Sequence, residues 1–439
     1  EKDKDINKTF EFLNAIFGTL LFSLFIFTLL VLIFTPIFIF LFAPGFYFDP
    51  VNQDISIKVL RIMFPYLALI SLVAFAGGIQ NTHQKFSIPA FTPVIFNLSL
   101  IIAAIFIAPK YDMPIYVLAW GVLLAGFIQA LIQIAPLRSI NRLPIPKLNF
   151  KNQGVKRFLI VVFPAILAGG IIQINLLVDT IFASLLETGS PTWLYVSDRL
   201  VQFPMGIFAI AVGTVLLPTL SKIDTNKERF VFINSIKKGQ KFVLFIGIPS
   251  LIGLIFCAED LISTIFYRGA FNEVDVFNSS MSLMAFSMGL PFFMLMKVLT
   301  PAFFARKDTK TPMFVAIISL VLNASLNYLL AFVLNFGHVG IAIGSSVAAL
   351  ISVLILEGIL YKDGFIKIHG VINRFNIMIL FSSIALIIFL YFFTSMTNFM
   401  NFNQPQRFLF LTIEIIISIA IYFSVSKLIY QKSLKNLFN

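Results

Sequence analysis

"YVSDRLVQFPMGIFAIAVGTVLLPTLSK" occupies residues 195–222. It is apolar enough to cross a membrane, yet Asp198 and Arg199 stand side by side, Pro204 follows, Gly206 and Gly213 interrupt the bulky residues, and Pro218 stands near the end. A charged side chain in hydrocarbon costs several kcal/mol unless it meets a partner, water or the interface. Proline removes a backbone donor and breaks the helical ladder, while glycine lets helices pack closely or bend. The stretch therefore predicts a bent membrane helix with polar surroundings at one end.

The rest of the chain agrees. Of 439 residues, 59% are hydrophobic and only 12% charged, about half the charge of a soluble domain. Mean hydropathy is +0.96. Apolar runs long enough to cross about 30 Å of hydrocarbon fall at 12–43, 56–80, 87–108, 115–137, 157–185, 192–218, 242–258, 277–303, 311–333, 338–360, 374–394 and 407–430. The run at 242–258 is barely long enough. None alternates as barrel strands do, so the fold class is all-α, a polytopic membrane protein with twelve spans.

A net charge of +12 would suggest nucleic acid in a soluble chain, but its placement excludes that partner. Lys2, Lys4 and Lys8, then Lys85, Arg138, Arg142, Lys147, Lys151, Lys156 and Arg157, and later Lys222, Lys227, Arg229, Lys237, Lys238 and Lys241 share one side. Arg306, Lys307, Lys310, Lys362, Lys367, Arg374, Lys427, Lys432 and Lys435 continue the pattern. The intervening loops carry Asp49, Asp54, Asp112, Glu187, Glu259, Asp260, Glu273 and Asp275. By the positive-inside rule both termini are cytoplasmic. One cysteine and three histidines leave no disulfide framework and no metal cluster. With no phosphate-binding loop or hydrolytic motif, the chain is expected to be a transporter rather than an enzyme, without cofactor or metal.

Residues 61–97 and 287–323 share a texture: an early Pro65 or Pro291, a basic turn, Pro89 or Pro312 at the mouth of the next span, and Asn97 or Asn323. The first prolines and the asparagines lie 226 residues apart, which predicts a parallel repeat of two lobes. The basic connection at 138–156 is the expected lobe boundary. Four spans precede it and six follow before a two-span tail, an imbalance that predicts two further spans upstream of Glu1.

Asp179, with Gln173 and Asn175, lies at the same expected depth as Asp198 and Arg199 on the next helix. Two readings stand: an Asp179–Arg199 ion pair that staples the helices, and a polar wall lining a water-filled cavity. Arg199 and Gln202 share a helix face, and Gly206 and Gly213 thin the helix around Pro204. Lys297 is expected as a second buried cation.

The motifs "SDRLVQFPMGIFAIAVGTVLLPTLSK", "RIMFPYLALISLVAFAGGIQNTHQKFSIPAFTPVIFN" and "PAFFARKDTKTPM" closely resemble the lipid II flippases of the MurJ/MviN type, within the multidrug, oligosaccharidyl-lipid and polysaccharide exporter superfamily. The resemblance implies a two-lobe transporter of fourteen spans, of which about twelve are present here. It implies an incomplete N-terminal lobe at 1–140, a C-terminal lobe at 157–360, two helices at 372–430 beside a lipid-tail groove, and a cytoplasmic tail at 431–439. The implied activity is movement of undecaprenyl-pyrophosphate-linked disaccharide-pentapeptide, lipid II, from the inner to the outer leaflet of the bacterial cytoplasmic membrane by alternating access, as a monomer among membrane lipids. Cell-wall synthesis or division machinery is the implied protein partner. A functional arginine of the family falls at Lys241, where lysine keeps the charge but lacks the bidentate fork. The expected cavity residues are Lys241, Lys297, Arg199, Gln202, Gln173 and Asn175, with Asp179, Asp198 and Arg199 as ion-pair or coupling groups. Pro65, Pro89, Pro204, Gly206, Gly213, Pro291, Arg306, Lys307, Asp308 and Pro312 are the expected gate and hinge positions. Other cargo within the superfamily, a drug or cation exchanged by antiport or a polysaccharide, is the first alternative; a non-transporting cell-wall scaffold is the second.

Overall fold

The computed structural model describes residues 2–148, 153–224, 227–366, 373–397 and 399–429, with side chains except those within 2–8, 153, 157–159, 161–169 and 171–172. The basic side chains expected at Lys2, Lys4, Lys8, Lys151, Arg157, Lys367, Lys432 and Lys435, and the 431–439 tail, lie outside the described residues. Among the described residues the regular structure is entirely helical. Eleven helical segments among the described residues are long and apolar enough to cross a membrane, and the twelfth expected run coincides with a further helix of 32 residues, α8 (Gln153–Ser184).

The chain forms two compact units that divide at Gly169 and Gly170, inside α8. The first holds α1 (Lys2–Ile33), α2 (Thr35–Phe42), α3 (Pro44–Phe48), α4 (Pro50–Met63), α5 (Pro65–Thr82), α6 (Ser87–Ile102) and α7 (Pro114–Ser139). The second holds α9 (Ser190–Pro204), α10 (Ile210–Ser221), α11 (Arg229–Phe256), α12 (Ala258–Phe266), α13 (Glu273–Ala305), α14 (Lys310–Asn327), α15 (Gly337–Lys362), α16 (Arg374–Met396) and α17 (Gln404–Ile429).

Three expected runs are corrected by local chemistry. The run at 12–43 breaks at Phe34, because Pro36 has no N–H for the ladder. Thr35 Oγ1 instead donates to the Val31 and Leu32 carbonyls at 2.8 and 3.0 Å. The run at 56–80 begins earlier, at Pro50, where Asp49 accepts from Val51 N at 3.0 Å, and it breaks at Phe64 before Pro65. The short run at 242–258 belongs to a helix of 28 residues whose polar first turns start at Arg229, so its length is ample.

The internal repeat is present in the helix ends, with a register that differs from the one expected. Thr82 and Ala305, Ser87 and Lys310, Pro114 and Gly337, and Ser139 and Lys362 are helix termini 223 residues apart. The turns repeat with them: Gln84 and Lys307 sit at φ 57° and 61°, Asn141 and Gly364 at φ 52° and 73°. Each follows a helix end closed by the same six-to-one hydrogen bond, Lys85 N to Gln80 O at 2.9 Å, Asp308 N to Phe303 O at 3.0 Å, Arg142 N to Leu137 O at 2.9 Å and Phe365 N to Leu360 O at 2.7 Å. Pro89 and Pro312 are therefore equivalent, each the third residue of its helix. Pro65 and Pro291 are not, since Pro65 starts α5 while Pro291 lies inside the unbroken α13. Asn97 is exposed and Asn323 buried, so that match also fails.

In the second unit α13 is the central element. Leu283, Leu290, Met294, Val298, Leu299 and Phe303 are fully buried there against α9, α11 and α15. In lipid such packing depends on close approach rather than on expelling water. Gly213 supplies one approach: a Cβ there would lie 3.0 Å from the Lys297 carbonyl of α13.

Candidate functional site

Asp179, near the end of α8, is held by neutral groups from two other helices. Asn327 Nδ2 donates to its Oδ1 at 2.7 Å and Ser345 Oγ to its Oδ2 at 3.3 Å. Asn327 Nδ2 also donates to Asn323 Oδ1 at 2.6 Å, and Asn323 Nδ2 to Ser345 Oγ at 2.9 Å. Asn323 and Asn327 are one turn apart on α14, which is why both amides face the same way. Beyond Asn327 the helix widens into a π turn, Tyr328–Val333. Gly344 on α15 makes room, because a Cβ there would lie 2.5 Å from Asn327 Oδ1.

The expected ion pair between Asp179 and Arg199 is corrected. Arg199 is exposed, lies 4.8 Å over the Tyr195 ring and donates through Nη1 to Gln202 Oε1 at 3.5 Å. Gln202 in turn donates to Asp198. Consecutive helix residues point about 100° apart, so Asp198 and Arg199 cannot both face α8. Asp198 is the one whose charge reaches Asp179. The Asp179 carboxylate is thus stabilised by amide and hydroxyl donors.

Pro204 is buried, and the Met205 N–H that follows bonds three residues back, to Gln202 O. Met205–Ala209 then form a π turn before α10 resumes. The expected bend is therefore a widened turn next to a proline. Gly213 packs closely against α13. Gly206 does not, since a Cβ there would meet nothing within 4 Å.

Lys297 is corrected from buried to exposed. Its backbone carbonyl makes the close approach to Gly213 of α10. Lys241 is half-buried and lies 5.3 Å over the Phe375 ring at the start of α16. Gln173 is exposed; Asn175, one turn before Asp179, is half-buried with its Oδ1 lacking a donor among the described residues. No group of three or more His, Cys, Asp or Glu that could hold a metal occurs among the described residues.

The expected gate turn is built as a clamp. Arg306 Nη2 pairs with Asp363 Oδ2 at 2.8 Å and its guanidinium lies 4.2 Å over the Phe365 ring; Arg229 covers the same ring at 4.7 Å. Lys307 occupies the left-handed position of the turn. Asp308 accepts from Thr311 N at 3.0 Å and Thr311 Oγ1 at 2.6 Å. Burial opposes ionisation of the Asp308 carboxyl, but the Thr311 hydroxyl and N–H, the Lys310 N–H and Arg306 outweigh it and hold the carboxyl below its ordinary range. Asn327, Ser345 and Asp363 escaped the sequence reading. The intramembrane pair in "LNASLN" was the available signal for the first.

The sequence matches the family model described as "Lipid II flippase MurJ" over residues 1–410. It is 37% identical to a probable lipid II flippase MurJ of Haemophilus influenzae over 399 residues, covering 88% of this chain and 78% of that protein. It is 38% identical to the Vibrio cholerae counterpart, covering 82% and 70%. Among solved structures, a lipid II flippase MurJ in an inward closed conformation superposes with a TM-score of 0.81 at 28% identity, covering 98% of this chain and 85% of that one. A multidrug resistance MATE family transporter of the MOP superfamily, in an inward-facing conformation, shares the fold alone, with a TM-score of 0.64 at 13% identity over 79% of this chain and 80% of that one.

Proposed function

We propose, from the premise that this chain belongs to the lipid II flippase MurJ family, that it carries lipid II across the membrane from the leaflet where it is made to the leaflet where it is used. The family match over residues 1–410 carries the reading. The cargo's pyrophosphate is anionic, and a bare anion in hydrocarbon costs several kcal/mol or more. Lys241, Lys297 and Arg199 are the cations of the second unit that replace its hydration, while the isoprenoid tail stays among lipid chains and along α16–α17. The repeat supplies two similar bodies for alternating access, and the turns at Gln84 and Lys307 gate one side. Pro204 and the π turn after it allow α9–α10 to flex.

The protein works as a multi-pass protein of the bacterial cytoplasmic membrane, with both termini on the cytoplasmic side and with wall-synthesis or division machinery as its protein partner. The test is depletion of the protein in a strain without other flippases, followed by assay of lipid II in the outer leaflet. A fall in the outer pool is expected. An unchanged pool would overturn the reading.

A further inference from the structure

A polar seam lies where α12 meets α17. Glu414, midway along α17, is fully buried, and Asp260, in the first turn of α12, is 7% exposed. Glu414 Oε1 accepts the Cys257 thiol at 3.2 Å. Glu414 Oε2 and Asp260 Oδ2 are buried with no donor among the described residues.

The neighbouring groups do not neutralise the pair. Glu259 and Glu414 both repel Asp260. Arg407, two turns before Glu414 on α17, directs Nε, Nη1 and Nη2 to the carbonyls of Phe399, Ser263 and Met400 at 2.8, 3.3 and 3.0 Å and lies 4.7 Å over the Tyr267 ring. On α13, Glu273 accepts from Tyr267 and Asp275 from Trp193. The last turns of α11, "PSLIGLIF", carry no charge.

Two carboxylates in one buried site cannot both stay ionised. A proton on either carboxyl group removes one of the two buried charges and turns that group into a donor. We propose that Asp260 and Glu414 form a proton-binding site, and that the bound proton latches the α16–α17 pair onto α12. Burial, then the charges of Glu414 and Glu259, push the Asp260 carboxyl up to about 8. A raised carboxyl stabilises the docked arrangement fully below its ordinary value of about 4 and loses that contribution as pH rises through about 8. The latch is independent of the cargo.

Cys257, the chain's one cysteine, is 5% exposed and reports the latch directly. The full chain in lipid nanodiscs is labelled with a polyethylene-glycol maleimide from about pH 6 to about pH 9, and each rate is divided by that of the detergent-unfolded chain at the same pH to cancel thiol ionisation. The wild-type ratio is expected to rise about tenfold or more across that range. Asp260→Asn keeps the Cys257–Glu414 contact and supplies an amide donor without a proton, so its ratio stays low and flat. Glu414→Gln, measured in parallel, removes one of the two carboxylates but leaves Asp260 buried beside Glu259, so its ratio rises less steeply than wild type, and it carries the comparison alone if Asp260→Asn does not fold. A flat wild-type ratio, or variant ratios that climb as steeply as wild type, would overturn the proposal.

Discussion

Asn327 donates to Asp179 at 2.7 Å across 148 residues of sequence, and it does so in the place where a cation was expected. A neutral amide makes the carboxylate tolerable inside the second unit while leaving Arg199 at the surface. The consequence is that the integrity of the α8–α14–α15 contact depends on amides and a hydroxyl, and the cations remain available for other work.

Asn327→Leu is expected to destabilise the protein by about 1–3 kcal/mol, the cost of leaving a buried polar group without its donor. Arg199→Ala, which removes one long hydrogen bond and a ring contact, is expected to fall within about 1 kcal/mol of wild type. Thermal unfolding of the two purified variants checks the order. A larger loss in Arg199→Ala would restore the ion-pair reading.

Gly344→Ala places a methyl 2.5 Å from Asn327 Oδ1 and is expected to displace that amide, lowering the melting temperature and transport together. Gly206→Ala enters open space and is expected to leave stability unchanged or slightly improved. Side-by-side melting curves decide it, and equal losses would show that Gly344 has no special role.

Asp308→Ala is expected to weaken the start of α14 by about 0.5–2 kcal/mol, as loss of a capping oxygen does elsewhere. Because the folded state holds this carboxyl below its ordinary range, its contribution is present at neutral pH and lost only as pH falls below about 4. Wild type and variant should therefore converge in acid. Hydrogen exchange at Thr311 and the residues after it, followed against pH, reads this directly.

Lys241→Arg is expected to support at least wild-type flipping of lipid II, since the fork grips pyrophosphate in two places. Lys241→Gln is expected to reduce it by about tenfold or more while the protein remains in the membrane. An outer-leaflet lipid II assay normalised to protein abundance separates transport from folding. Unchanged transport in Lys241→Gln would remove this residue from the cargo path.

What the sequence determined by itself is what short-range physics controls. The length and apolarity of the runs set the number of membrane-crossing segments, and Pro204 marked the bend, because a missing N–H acts within one turn wherever it lies. The repeat was also legible, but comparing Pro65 with Pro291 slipped its register by three residues; the turns at Gln84 and Lys307 fix it, since a left-handed residue closes a helix end at one position only. Tertiary structure alone decided which polar groups meet. Rotation of about 100° per residue leaves Asp198 half-buried and Arg199 exposed. Asp179 and Asn327, like Asp260 and Glu414, become neighbours only when distant helices pack, and no local pattern encodes that pairing.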